Sequence, residues 1–359
     1  MAEVIVYSDV TPAGDPEPMD KVTFHSCWEF NGRKNLSRIP VEVARTKPDA
    51  VILNLQFATF GDRRIPGALG LFIPALLRLR RVPTLLVLHN LADNVDMKDA
   101  GFAGSAVTAR LMTLAGRALT RALLRADLVA LTIPRYVEFL RDSYGATNAI
   151  LAPHGSFEDM PVPSFSVPPG PRTIMAFGKW GTYKTVDMLV DAYRELLGRG
   201  YDDIRLILAG TDSPNSAGYM ASAAERYADV PNLEFPGYIA ENDVGPLFLS
   251  SSVVAFPYTS TTGSSGVLHQ AGEYGRAAVL PRIGDLVDIV EEEGFRGVYF
   301  QPGDPSSLAD AIAEVLDDPA KQTMLGRRNF AAATSIPMSE VVQWHLAHIE
   351  RLLQERATR

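Results

Sequence analysis

The chain has 359 residues, 47% of them hydrophobic and 21% charged, with a formal net charge of -8. At roughly 150 residues per domain there is room for two domains, and this composition excludes a disordered chain, while the acidic balance argues against a nucleic-acid partner, since phosphate backbones are held mainly by Lys and Arg. A single cysteine, Cys27, and no charged, apolar leader over Met1–Asp9 point to a cytoplasmic protein, and apolar runs such as Gly67–Leu77 and Ala126–Ile133 fall short of the ~20 residues that span a bilayer.

In chain order, short β-rich runs alternate with helical patterns, the signature of βαβ units and parallel sheets. The first half predicts strands at Val4–Asp9, Lys21–Ser26, Ala50–Phe57, Pro83–Asn90, Asp127–Ile133 and Asn148–Gly155. Met160–Arg172 then carries five prolines and no periodicity, which reads as a linker. The alternation restarts with strands at Arg172–Gly178, Ile204–Gly210, Asn232–Gly237, Ser252–Tyr258, Ala277–Arg282 and Gly297–Pro302. An amphipathic stretch, Met338–Glu355, follows Pro337. The expected organisation is an α/β domain over residues 1–160, a linker over 161–172, a second α/β domain over 173–336 and a final helix over 337–359.

Ligands of open α/β sheets collect outside the carboxyl ends of the strands, so unusual residues there are the ones to weigh. FGKWGTYKT, Phe177–Thr185, follows the first strand of the second half. Tyr183 stands where a phosphate loop needs glycine before its Lys-Thr pair, which leaves Gly178 and two cations, Lys179 and Lys184, near a helix start. The bland alternative is two solvated lysines flanking a turn. A second place is STTGSSG before a helix expected near Gly266, with Ser264 or Ser265 able to cap it. Free N–H groups at that helix start suit an anion, against the bland reading of an ordinary capped turn.

His89 and Asn90 close a buried strand of the first half, which makes His89 a site candidate against the bland reading of a satisfied structural histidine; the same holds more weakly for His154, which could equally be a turn residue. His345 and His348 lie three residues apart on the last helix without metal-spaced partners and read as surface. No H-E-x-x-H, C-x-x-C, G-x-S-x-G or G-x-G-x-x-G occurs, which removes support for zinc hydrolases, serine hydrolases and ordinary dinucleotide oxidoreductases. Arg110, Arg117, Arg121 and Arg125 fall at spacings of seven, four and four. They predict one basic helix face, either solvated or in peripheral contact with an anionic membrane.

With these pieces in order the chain resembles the retaining GT-B glycosyltransferases of family 4, the group 1 type, over nearly the whole second half and more loosely the first. The resemblance implies two Rossmann-like parallel-sheet domains facing across a cleft, and a hexosyltransferase-like enzyme that takes a sugar from a nucleotide-diphosphate donor without a metal or other cofactor. It puts Lys179 in the family's arginine position and Lys184 in its lysine position, both on the leaving diphosphate. His89 matches a histidine that contacts the donor sugar, and the last helix is expected to cross back to the first domain. Aligned on Gly275, Thr262 and Gln270 replace the two glutamates of the family's donor loop.

Gln270 can still hydrogen-bond a ribose hydroxyl as a neutral amide, and the amides of Gly263, Ser264, Ser265, Gly266 and Val267 keep a diphosphate site. Thr262 is too short to copy a carboxylate. The opening turn, Ser8–Lys21, lacks the paired glycines many members carry there, so the resemblance leaves the acceptor open among a saccharide, a lipid-linked sugar and a small molecule. A catalytically silent GT-B protein that binds a ligand or partner is the alternative suggested by the two missing glutamates.

Overall fold

In a computed structural model the described residues are 3–10, 17, 19–56, 59–61, 63–89, 91, 106–156, 162–213, 216–260, 265–284 and 286–358. They divide into two units: one takes the described residues up to Leu91, 106–153 and 342–358, the other those from His154 to Val341.

The first unit contains strands β1 (Val4–Asp9), β2 (Val22–Trp28), β3 (Val51–Leu55), β4 (Thr84–Leu88), β5 (Leu128–Leu131) and β6 (Ala149–Leu151), with helices α1 (Asn35–Thr46), α2 (Arg64–Gly70), α3 (Ile73–Leu79), α4 (Ala106–Leu123) and α5 (Pro134–Tyr144). All strand pairings are parallel, in the order β3-β4-β5-β6, while β1 and β2 pair as a separate two-stranded sheet. The composition of the strands accounts for the difference. β5 is Leu-Val-Ala-Leu and buried throughout, as a strand covered on both faces must be, whereas β1 and β2 carry Ser8, Asp9, His25 and Ser26 and stay half-buried. α5 shows its ends in its sequence: Pro134 opens it and Gly145, at φ 63°, closes it in the left-handed region.

The second unit contains β7 (Arg172–Trp180), β8 (Ile204–Asp212), β9 (Leu233–Gly237), β10 (Val253–Ala255), β11 (Ala277–Pro281) and β12 (Gly297–Phe300). Its helices are α6 (Asp187–Gly198), α7 (Tyr219–Arg226), α8 (Glu241–Leu249), α9 (Gly266–Glu273), α10 (Leu286–Glu292), α11 (Pro305–Leu316) and α12 (Pro319–Ala333). The six strands form one parallel sheet in the order β12-β11-β10-β7-β8-β9. Counted from β7, that is the 3-2-1-4-5-6 order of nucleotide-binding sheets read from its other edge, so the strand order reverses between β7 and β10. Asp304 and Asp318 cap α11 and α12 by accepting from the N–H of Ser307 (3.1 Å) and Lys321 (2.9 Å), each followed by a proline at the first helical position.

Helix α13 (Met338–Ala357) groups with the first unit from Val342 onward. There Ile349 and Leu353 pack with Leu85, Leu128, Ala130 and Ala152, Trp344 Nε1 donates to Leu151 O at 3.1 Å, and Arg356 donates to Asp127 at 2.8 Å. The apolar pattern overstates this contact, since Val342 and Leu346 are exposed along with Trp344. The second unit starts at His154, before the proline-rich stretch, because Ser156 N–H donates to Ile336 O (2.9 Å) and Met338 N–H to Ser156 O (2.8 Å).

His345 and His348 differ from the surface reading. Burial holds both below the ordinary histidine value, and His345 Nε2 and both His348 ring nitrogens have no hydrogen-bond partner among the described residues. The arginine face also changes: α4 ends at Leu123, so Arg125 sits in the following turn, where its N–H bonds Ala122 O at 3.1 Å. Arg117 and Arg121 are exposed, Arg121 lies over the Tyr144 ring at 5.6 Å, and the Arg110 side chain falls outside the described residues. Among the described residues no helix is long and apolar enough to cross a membrane.

Candidate active site

The switch between β7 and β10 is where the second sheet opens a crevice for a ligand, because the connections leave in opposite directions there. β7 delivers Gly178 and Lys179 to that end, and the loop after it delivers Lys184. β10 leads through Tyr258 to the start of α9.

Lys179 is exposed at the end of β7, paired in register with Thr211. Lys184 is buried, at 8% relative exposure. Its Nζ lies 4.5 Å from the Tyr258 ring centroid and 5.7 Å from that of Tyr183, and no described residue offers it a hydrogen bond or a carboxylate. Burial pushes the ammonium below the ordinary lysine value. Gly178, at φ 145°, is the floor under this cation: a Cβ there would come within 2.9 Å of Nζ.

The two loops are tied together. Lys184 and Tyr258 form an antiparallel bridge, Thr259 N–H donates to Tyr183 O at 2.8 Å, and the Tyr183 and Tyr258 rings meet edge to face at 5.7 Å. Trp180, 1% exposed, anchors the end of β7 by donating to Ala209 O at 2.9 Å. Thr262, Gly263 and Ser264 lie outside the described residues. Ser265 stands at the N-cap of α9, but its side chain makes no cap bond. Its Oγ is instead 3.1 Å from Tyr258 Oη, so at Ser265 a strut to the tyrosine stands in place of the cap. The first α9 bonds are those of Leu268 and His269 N–H to Ser265 O, at 2.8 and 3.2 Å. Among the described residues the N–H groups of Gly266 and Val267, first in α9, have no acceptor. Gly266 has open space where a Cβ would be, and Gln270, half-buried, is one turn along the same face.

The other face of α9 is structural. His269 packs on Phe295 at 5.0 Å and stands 4.9 Å from the His154 ring, which places His154 in the second unit and away from any role of a free turn residue. In the first unit His89 Nε2 is 2.6 Å from Asn54 Oδ1, and burial lowers its pKa, so at neutral pH it is a neutral hydrogen-bonding ring. Asn90 lies outside the described residues. Among the described residues no three His, Cys, Asp or Glu side chains gather as a metal group. The sequence reading missed Tyr258 and Trp180, whose one available signal was an aromatic residue beside each glycine-rich or hydroxyl-rich loop.

Residues 171–318 match the family model for glycosyl transferases group 1, the span from β7 to the start of α12 that contains both loops. The match covers the sheet of the second unit and less than half of the chain. A D-inositol 3-phosphate glycosyltransferase of Corynebacterium diphtheriae is 30% identical over 162 residues, 42% of this chain and 36% of that protein's length. By structure the chain is similar to sucrose-phosphate synthase of Thermosynechococcus elongatus, with a TM-score of 0.74 at 17% identity over 98% of this chain and 89% of the other. It is also similar to HepE of Anabaena in complex with UDP and glucose, with a TM-score of 0.64 at 17% identity over 92% and 86%. The fold is GT-B, α/β with parallel sheets. The matched span brings Gly178, Lys184, Ser265, Gly266, Val267 and Gln270 to one end of the sheet, with Lys179 on its exposed rim.

Proposed function

We propose that the chain transfers a sugar from a nucleoside-diphosphate sugar to an acceptor hydroxyl, with retention at the transferred carbon. The observation that carries this reading is the buried Lys184 ammonium, without a carboxylate among the described residues, beside the start of α9 at the point where the strand order reverses. A buried unpaired charge costs stability, and an anion that arrives to pair it returns that cost. Lys184 and Lys179 are assigned to the diphosphate, with the Gly266 and Val267 N–H groups and the loop over Thr262, Gly263 and Ser264. His89, as a neutral ring, is assigned to hydroxyls of the donor sugar. The positive charge of two lysines and a helix terminus then does the work a metal would do at the leaving group, so turnover in EDTA is expected.

UDP is the first nucleotide to try, being the one in the similar HepE structure. The test supplies a panel of nucleotide sugars in the presence of EDTA and measures released nucleoside diphosphate. Release supports the transferase. Nucleotide binding with no release across the panel favours a silent binding protein, the reading suggested by Thr262 and Gln270 in place of two carboxylates. For Gln270, replacement by Glu keeps size and helix position, so Gln270→Glu should tighten the donor or leave it unchanged in calorimetry. Loss of nucleotide affinity in a folded Gln270→Glu protein would mean that Gln270 is not the ribose ligand.

A peripheral membrane contact is proposed for α4, where Arg117 and Arg121 are exposed beside Leu114, itself 60% exposed. Binding to anionic vesicles should be measurable by sedimentation at low salt and lost at high salt. Absence of binding at low salt removes the membrane contact and leaves a soluble acceptor.

A further inference from the structure

The role of Tyr258 is not explained by diphosphate binding alone. It follows Pro257 just past the end of β10 and is 5% exposed. A buried phenol needs a partner for its hydroxyl, and this one has Ser265 Oγ at 3.1 Å. A buried ammonium needs negative charge, and among the described residues Lys184 has instead the face of Tyr258 at 4.5 Å, with the Tyr183 ring farther off at 5.7 Å. One side chain thus touches the cation through its ring and the α9 start through its hydroxyl. Backbone contacts hold it there, since Lys184 and Tyr258 pair across the bridge and Thr259 N–H donates to Tyr183 O.

We propose that Tyr258 is a positioning residue of the donor site, whose ring keeps Lys184 charged in the empty site and whose hydroxyl fixes Ser265 and the first turn of α9 relative to that cation. The proposal rests on the reading of Lys184 and α9 as the diphosphate site, but its two halves are read separately. The ring face attracts the ammonium electrostatically, in opposition to burial, which lowers the lysine pKa. Among the described residues the titratable groups against Lys184 are Tyr183 and Tyr258, both pushed up by burial and neutral in the range considered, so neither supplies a countercharge. The hydroxyl has no part in that balance. It acts on Ser265 and through it on where the Gly266 and Val267 N–H groups point.

Two substitutions separate the halves. Tyr258→Phe keeps the ring and deletes the strut, while Tyr258→Leu deletes both. Lys184 can be followed without any ligand by reductive ¹³C-methylation and NMR titration, its resonance assigned by its loss in Lys184→Arg. The expected result is that Tyr258→Phe titrates as the unaltered protein does, whereas Tyr258→Leu loses its charge about one pH unit lower. In calorimetry with UDP as the probe, Tyr258→Phe should bind several-fold more weakly with no change in the pH at which affinity falls on the alkaline side.

Should Tyr258→Leu fail to fold, the phenylalanine variant still decides. A Lys184 titration moved downward in Tyr258→Phe, or UDP affinity equal to that of the unaltered protein, overturns the proposal. Failure of the diphosphate reading itself is distinguishable, because the unaltered protein would then not bind UDP while the Lys184 titration would still report on the ring.

Discussion

Replacement of Lys184 by Ala should lower turnover by about a hundredfold while leaving the melting temperature nearly unchanged or slightly raised. The two signs come from one fact, the burial of an ammonium that has no carboxylate among the described residues. In the empty protein that charge is a liability. The folded-state pKa lies below the ordinary lysine value, so between those two values the unfolded chain binds the extra proton and stability rises with pH. Below that window the cost of the buried charge is fully present. Removing the amine relieves it, against the packing lost with the aliphatic stem.

In the reacting complex the same charge becomes an asset, because negative charge on the departing diphosphate grows toward the transition state. A pre-aimed donor of this kind is typically worth about 3 kcal/mol, which is about two powers of ten in rate. Nucleoside diphosphate release and a thermal melt on the same preparation give both signs. Full activity in the alanine protein removes Lys184 from the mechanism, and a large fall in melting temperature would mean that the amine is structural.

The strands were legible because a parallel sheet writes itself as short apolar runs between amphipathic ones, and each run expected in the sequence overlaps an observed strand. Where the ends differ, local chemistry explains it. Ser252–Tyr258 shortens to Val253–Ala255 because Pro257 has no N–H for a ladder, and the chain turns, with Tyr258 N–H donating to Phe256 O at 2.7 Å. The lysines and the helix start were legible from position after a strand. Their connection was not. Ser265 looks like a cap in sequence, since serine before a helix usually bonds the first turn, and only the fold brings Tyr258 close enough to take that hydroxyl. Likewise, nothing in the spacing of Lys184 and Tyr258, 74 positions apart, announces that the crossovers from β7 through β8 and β9 to β10 return them to one place. The half-burial of His345 and His348 escaped for a similar reason: a helical pattern tells which face is apolar, but not which neighbour covers its flank.

The second large effect is expected at a residue that touches no ligand. Gly210 is the partner of Gly178 in the β7–β8 register, and a Cβ placed on it would lie 1.9 Å from Gly178 O and 2.9 Å from Gly178 C. Both atoms are backbone in the middle of a six-stranded sheet, so neither can swing aside as a side-chain tip would. The φ of Gly210 is 115°, where a side chain adds strain whatever the space. Gly210→Ala should therefore cost about 3 kcal/mol, or roughly 10 °C in melting temperature for a domain of this size.

Whatever adjustment the alanine protein makes must push the Gly178 peptide, and Gly178 is the floor beneath Lys184. Nucleotide affinity should consequently fall even at temperatures where the protein remains folded. Gly198→Ala is the contrast, because that glycine ends α6 with nothing within 4 Å of an added Cβ, and alanine there should stabilise by about 0.5–1 kcal/mol. Calorimetric melts and UDP titrations of the two variants side by side decide the matter. Equal melting temperatures would show that the close approach of β8 to Gly178 is not a constraint on the sheet, and a destabilised Gly210→Ala that binds UDP normally when folded would separate the strand contact from the Lys184 site.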